Sequence, residues 1–339
     1  MEACEMKFRS KLFQFLLVSV LAVLTFFSPT ISQAEVQPVQ SKDIVIEGNH
    51  PIKHIEYLSV ESDGRTKKID KSTYDAAKVV KEANELHKQS PESITPKNSN
   101  ILQTDKQAVV PNKKQENKTK RLTPAQQESV LALEYSTTFN EFTQSIDLSI
   151  KITDIIGQAP IVVLSNLSLY AGDIYDDAYY RLGYLEVDWQ GSQIHPGQIA
   201  QKSFKVNSTK WWATNHNTTA GWVGSYPQTS SEQYDPILAN KKAVMYPIIY
   251  NGHSEQYMPI PKRANLPKAD NPVDWDSYKR GAYIAQYIDT YGNPGWDWSE
   301  ADIHHVIPRA YGGNNSFDNL FPLPRPIHQQ IVNPWWSAY

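Results

Sequence analysis

The residues best suited to chemistry lie near the C-terminus, in the stretch DIHHVIPRAYGGNNSFDNLFPLPRPIHQQIVNPWW from Asp302 to Trp336. Two adjacent histidines, His304 and His305, precede a Gly-Gly-Asn-Asn turn, and a third, His328, follows on a predicted short helix. On a strand over residues 303–307, neighbouring side chains point to opposite faces. His304 and His305 therefore cannot easily ligate one ion together, and two separate roles are the natural reading. Imidazoles suit Zn, Mn, Ni or Co, and Mg is less expected from two of them. A histidine with the ordinary pKa of about 6.5 can accept a proton at neutral pH. Gly312, Gly313, Asn314 and Asn315 tolerate the positive φ values that would return a second strand over 319–323 beside the first. Pro326 suits the first turn of a helix, which places His328 in that turn, facing back across the hairpin.

This order of parts resembles the HNH nucleases, the ββα-metal family, and within it the endonuclease VII-like branch with a doubled first histidine. The resemblance rests on the HH pair, the GGNN turn, the NLxPL run and the helical histidine, about a tenth of the chain. It implies His304 and His328 as metal ligands for one divalent ion (Mn, Ni, Zn or Mg). It implies His305 as the general base that takes a proton from the water attacking phosphorus, and Asn319 as the residue that ties the hairpin and helps orient that base. Arg309 is a candidate to hold the adjacent phosphate, with Arg325 a weaker one. Asp302 could ligate the ion, orient a histidine or make an ordinary hydrogen bond. Many relatives carry another histidine one turn after the second ligand. Here Val332 stands there, which leaves two protein ligands and open positions.

A ββα unit of this size has little core of its own, so flanking elements must supply one. Residues 275–291 (WDSYKRGAYIAQYIDTY) read as a helix ended by Gly292-Asn293-Pro294-Gly295. Trp296 and Trp298 are expected to cover one side of the unit, and Trp335 and Trp336 to pack it against the preceding domain. The Pro-rich MPIPKRANLPKADNP stretch reads as an irregular arm. Upstream, residues 124–242 form a β-rich domain: strands are predicted over 145–152, 161–170, 178–187 and 199–206, suggesting an antiparallel sandwich. Trp211, Trp212 and Trp222, in a Thr/Asn/Gly-rich segment, read either as a plug for the sandwich core or as a stacking surface for sugars or bases. His216 is a weak metal candidate, and His195 and His253 read as structural or exposed.

Residues 35–123 are polar, Trp-free and poor in large apolar side chains, and read as a linker or pro-segment with one possible helix over 72–88. The Lys-rich run 113–121 reads as a solvated linker. Residues 1–34 resemble a secretory signal peptide: Lys7, Arg9 and Lys11 precede an apolar run over 12–27, and Ser32-Gln33-Ala34 offers small residues for cleavage. That run is shorter than the ~20 residues of a spanning helix, so no permanent anchor is expected after cleavage. Cys4 is the single cysteine in 339 residues, so a cleaved chain forms no disulfide. The net charge of −3 provides no global attraction to nucleic acid, so phosphate contacts must be local. The mean hydropathy of −0.51 also indicates a partly polar chain.

The sequence thus points to an α+β chain: a largely irregular N-terminal part, a sandwich-like domain, and a small HNH-like nuclease unit over 243–339. The expected activity is metal-dependent phosphodiester hydrolysis by a secreted bacterial protein. DNA, cleaved without sequence preference, is the default substrate and RNA the second choice. Use as an antibacterial toxin would require an immunity protein as partner. The alternative is an extracellular carbohydrate- or cell-wall-binding protein in which the histidine motif is structural.

Overall fold

The computed structural model describes residues 44–47, 50–61, 64–89 and 129–339. The expected signal segment and the Lys-rich run lie outside these residues. The chain is mixed α and β, with several antiparallel sheets. Strands β1 (Ile44–Glu47), β2 (Ile52–Val60) and β3 (Thr66–Ile69) and helix α1 (Lys71–Gln89) come first. They are followed by β4 (Val130–Asn140), β5 (Ser145–Ile156), β6 (Val162–Gly172), β7 (Tyr180–Gln190) and β8 (Ile199–Lys205). Next are β9 (Lys210–Gly221), β10 (Thr229–Gln233), β11 (Ile237–Ala239), β12 (Ile248–Asn251) and β13 (Gln256–Tyr257). Helix α2 (Ser277–Tyr291) and the hairpin β14 (Ala301–His305) and β15 (Leu320–Pro324) complete the set before a helical C-terminus.

Two antiparallel sheets, ordered β3-β2-β4-β5-β8 and β10-β9-β6-β7, share one core, with β11 also paired to β9. Leu131, Leu133 and Tyr135 of β4 and Ile146, Leu148, Ile150 and Ile152 of β5 meet Val163, Leu167 and Leu169 of β6 there. The four strands predicted from the sequence are present. β4 and β9 escaped that reading for opposite reasons. β4 is buried on both faces, because α1 covers the outer one with Tyr74 and Ala77 against Tyr57, Val130 and Ala132, so its apolar residues do not alternate. β9 (KWWATNHNTTAG) is a central strand rich in buried polar side chains.

One expectation needs correction. Residues 35–123 are not only a spacer with one helix: β2 pairs with β4 over eight residues, so part of this segment belongs to the main sheet. Its longest strand, β2, places Tyr57 in the cluster under α1 and Leu58 in the core between the two sheets, so few large apolar residues suffice. Of the two readings of the Trp segment, the plug is the one that matches the structure. Trp211, Trp212 and Trp222 are buried, with the Trp211 and Trp222 indole N–H groups donating to the carbonyls of Lys262 and Gln158. They fill cores, as the plug reading had it.

The C-terminal hairpin sits between two apolar clusters. One face of β14 and β15 contributes Ile303 and Leu320 to a cluster with Tyr283 and Tyr287 of α2, against which Trp275, Trp296 and Trp298 pack. The other face contributes Val306, Phe321 and Leu323 to a cluster with Ile327, Val332, Trp335 and Trp336. Ile44, Trp211, Tyr246 and Ile249 belong to the same cluster. Strand β1 pairs with β12, so an N-terminal strand builds part of the floor under the C-terminal unit. Helix α2 begins where the Asp276 carboxylate accepts from the Lys279 N–H and ends at Gly292, φ 86°. Among the described residues, no helix is long and apolar enough to cross a membrane.

Candidate functional site

Cross-strand register fixes where each histidine faces. His304 pairs with Phe321 and His305 with Leu320, and paired residues share a face. Asp302, His304 and Val306 therefore face the C-terminal helix, whereas Ile303 and His305 face α2 and Trp275. The alternation expected of adjacent histidines on a strand is what separates them. The first strand runs Ala301–His305 rather than 303–307, and the second starts at Leu320. Asn319 instead ends the 3-10 turn Phe317–Asn319.

The helical end that carries His328 is irregular. An α turn, Arg325–Ile327, gives way to a π turn, His328–Val332, and then to Asn333–Ser337. Pro334 explains the widening. It has no N–H to donate to the Gln330 carbonyl, and the Asn333 N–H reaches back to the His328 carbonyl instead. Val332 is wholly buried in the core, so this position anchors the helix.

His304 Nδ1 lies 3.2 Å from His328 Nε2, and His328 Nδ1 lies 3.0 Å from Asp302 Oδ2. A carboxylate can only accept here, so His328 carries its proton on Nδ1 and presents Nε2 as a lone pair towards His304. Arg325 Nε is 3.5 Å from Asp302 Oδ1, and its guanidinium also donates to the Ser299 carbonyl. This holds the carboxylate from its other side. His304 is 4% exposed. Burial first, then repulsion from His328 and His305, pushes its pKa well below the ordinary imidazole value.

Two imidazole nitrogens bound to one tetrahedral ion at about 2.0–2.1 Å lie about 3.3–3.4 Å apart. The 3.2 Å separation therefore fits a shared ion. So do the neutral state of His304 and the carboxylate behind His328, the usual outer partner of a ligating histidine. His304 Nε2 is buried without a hydrogen-bond partner, so an ion held at Nδ1 would leave the other ring N–H unpartnered, in contrast to His328 with Asp302 behind it. Among the described residues, no group of three or more His, Cys, Asp or Glu side chains could hold a metal ion. Such a site would have two protein ligands, with Asp302 behind one of them.

His305 occupies a separate environment. Its Nε2 is 2.8 Å from Asn315 Oδ1, and its ring meets Trp275 edge-on, centroids 4.8 Å apart at 83°. Burial lowers its pKa, partly offset by the Asn315 bond, with Arg309 and His328 adding to the lowering. It is therefore mostly uncharged at neutral pH, more fully so than the unperturbed histidine assumed from sequence.

Asn319 is the staple of the connecting loop. Its Oδ1 accepts from the Ile307 N–H at 2.9 Å, and its Nδ2 donates to the carbonyls of Ile307 and Asn314 at 3.2 and 2.8 Å. The hydrogen bond to His305 comes instead from Asn315, which the sequence reading treated as a turn residue only. In the turn itself, Gly312 alone takes positive φ, 83°. Gly313 is required for a different reason, since a Cβ there would lie 1.6 Å from the Ile307 carbonyl oxygen. Arg309 donates from Nη1 to the Val273 carbonyl at 2.9 Å, and its charge acts on His305.

The remaining histidines serve elsewhere. His253 contacts the Gly292 carbonyl and packs on Tyr287 and Trp296, and His195 contacts the Pro196 carbonyl. His216 is wholly buried between the sheets, 3.2 Å from the buried Glu56 carboxylate, 2.5 Å from the Tyr234 hydroxyl and stacked on Tyr135. This polar network was not legible, because its members come from β2, β4 and β9 and the loop after β10. Comparison of the chain with family models, curated proteins and solved structures found no significant match.

Proposed function

We propose that this chain is an exported HNH-type endonuclease that hydrolyses phosphodiester bonds of nucleic acid, with DNA the default substrate. The observation that carries the reading is the division of labour on one strand. His304 meets an Asp-backed His328 on one face, while His305 stands apart on the other. A purely structural metal site has no use for a second, separately oriented imidazole beside its ligand.

His304 and His328 would hold one divalent ion, which when bound neutralises phosphate charge and stabilises the leaving oxygen. Asp302 keeps His328 in the Nδ1–H tautomer, so that Nε2 faces the ion's position. His305, uncharged at neutral pH, accepts the proton of the attacking water. Arg309 offers its free guanidinium N–H groups to the phosphate next to the scissile one. Asn319 and Gly313 fix the loop that separates these groups. Export follows from the residue 1–34 pattern, and a toxin role would add an immunity protein as partner.

The test is plasmid cleavage by the full chain in EDTA and with Mg, Mn, Ni, Co or Zn, beside His305→Ala. Metal-dependent nicking in wild type and a loss of about 100-fold or more in the variant are expected. An inert wild type with every metal, on both DNA and RNA, would sink the proposal.

A further inference from the structure

The loop that joins the two hairpin strands holds a side chain whose orientation is fixed from both ends. Asn315 Nδ2 lies 2.8 Å from the Asp274 carbonyl oxygen. A backbone carbonyl can only accept, so the amide nitrogen must face it, and Oδ1 must face the opposite way. That oxygen lies 2.8 Å from His305 Nε2. An amide oxygen also only accepts, so Nε2 must carry a ring proton, and in the neutral ring Nδ1 carries the lone pair. Rotation of the ring is limited by the edge of Trp275, which is the residue after Asp274. Arg309 is tied to the same segment through the Val273 carbonyl. The short run 273–275 therefore braces both His305, through Asn315 and Trp275, and Arg309.

We propose that Asn315 is a positioning residue that holds His305 as the Nε2–H tautomer, which makes Nδ1 the atom that accepts the proton of the attacking water. In that step the water O–H bond breaks, the proton goes to His305 Nδ1, and the oxygen's electron pair forms the new bond to phosphorus, while the P–O bond to the leaving oxygen breaks and that oxygen keeps the electron pair and takes a proton from solvent. The ring is then doubly protonated, and Asn315 Oδ1 keeps its bond to Nε2–H throughout. No rearrangement of the hydrogen bonds behind the base is needed during turnover. The inference rests on the nuclease reading for its role in catalysis, but the tautomer itself does not.

The experiment is nitrogen-15 NMR of the full chain labelled at histidine, in EDTA, with His305→Ala used to assign the His305 signals. Wild type is expected to show a His305 Nε2–H proton that exchanges slowly with water and an unprotonated Nδ1. Asn315→Ala should lose that slow proton while the signals of the wholly buried His216 stay in place, which shows that the fold is kept. Asn315→Asp, which still accepts, should retain it. In plasmid cleavage, Asn315→Ala should lower kcat about tenfold with little change in KM, and Asn315→Asp should lose less. A proton on Nδ1 in wild type, or a slow Nε2–H proton that persists in Asn315→Ala, overturns the assignment. If the NMR signature is as expected but wild type cleaves nothing, the nuclease reading fails and the tautomer lock stands.

Discussion

Replacing Asp302 tests whether the histidine pair is a metal centre or only a hydrogen-bonded couple. Asp302 touches no ion position directly; it sits behind His328, 3.0 Å from Nδ1. Its side chain is 27% exposed, so solvent screens part of its effect. Losing an outer carboxylate of this kind usually weakens metal binding by about 10- to 100-fold, or about 1.4 to 2.7 kcal/mol. The partial exposure places Asp302→Ala towards the lower half of that range. Asp302→Asn, whose oxygen still accepts from Nδ1–H, should lose about threefold or less on the same scale. Arg325→Ala should change affinity less than Asp302→Ala, because its 3.5 Å contact to Asp302 acts only through that carboxylate. Calorimetric titration of the full chain with Mn, Ni and Zn measures all three variants against wild type. If Asp302→Ala binds each metal as tightly as wild type, the carboxylate does not support a ligand and the metal assignment to His328 is refuted. Absence of any binding by wild type refutes the site altogether.

Other consequences are equally direct. Gly313→Ala puts a Cβ 1.6 Å from the Ile307 carbonyl. That backbone contact cannot relax as a side chain would, and a stability loss beyond the usual ~1–3 kcal/mol of overpacking is expected in thermal melts. Gly281→Ala, in α2 where a Cβ meets nothing, should instead gain about 0.5–1 kcal/mol; equal melting shifts for the two would contradict the loop geometry. Glu56 supplies a pH signature. Burial favours its protonated form, but hydrogen bonds from His216 and Ser230 and the charges of His216 and Lys68 outweigh this and lower its pKa. A lowered carboxyl pKa adds stability above the unfolded value of about 4.3, and that stability is lost as pH falls through the folded value. Glu56→Ala should therefore melt well below wild type at pH 7, by the ~3–5 kcal/mol of a broken buried pair. The gap between the two should narrow as pH falls below about 4. A gap that stays constant down to pH 3 would show that the Glu56 charge contributes nothing.

The sequence was most legible where local rules act alone. Alternation at residues 145–152 marked β5 because one face is buried and the other less so. The Gly292-Asn293-Pro294-Gly295 stop marked the end of α2. The HH pair forced two faces on any strand, whichever residues followed. Where burial was two-sided, as in β4, or polar, as in β9, the period vanished and so did the strand. The stretch 35–123 showed its helix but not its strands, because β2 pairs with β4 and β1 with β12, partners far along the chain that its own composition does not reveal.

The candidate site divides along the same line. The sequence by itself determined the residue types, the separation of His304 from His305 by strand pleating, and the turn that brings a second strand back. Only the tertiary structure decided which neighbour each group obtained. Asn315 rather than Asn319 reached His305, because Asn319 was consumed by the backbone of Ile307 and Asn314. Asp302 became the support of His328 because the hairpin face and the C-terminal helix, 26 residues apart, meet over one cluster. Gly313 was needed for a close backbone approach, not for its φ. Hydrogen-bond partners are assigned by whichever groups packing brings within about 3 Å, and no local sequence pattern encodes that distance.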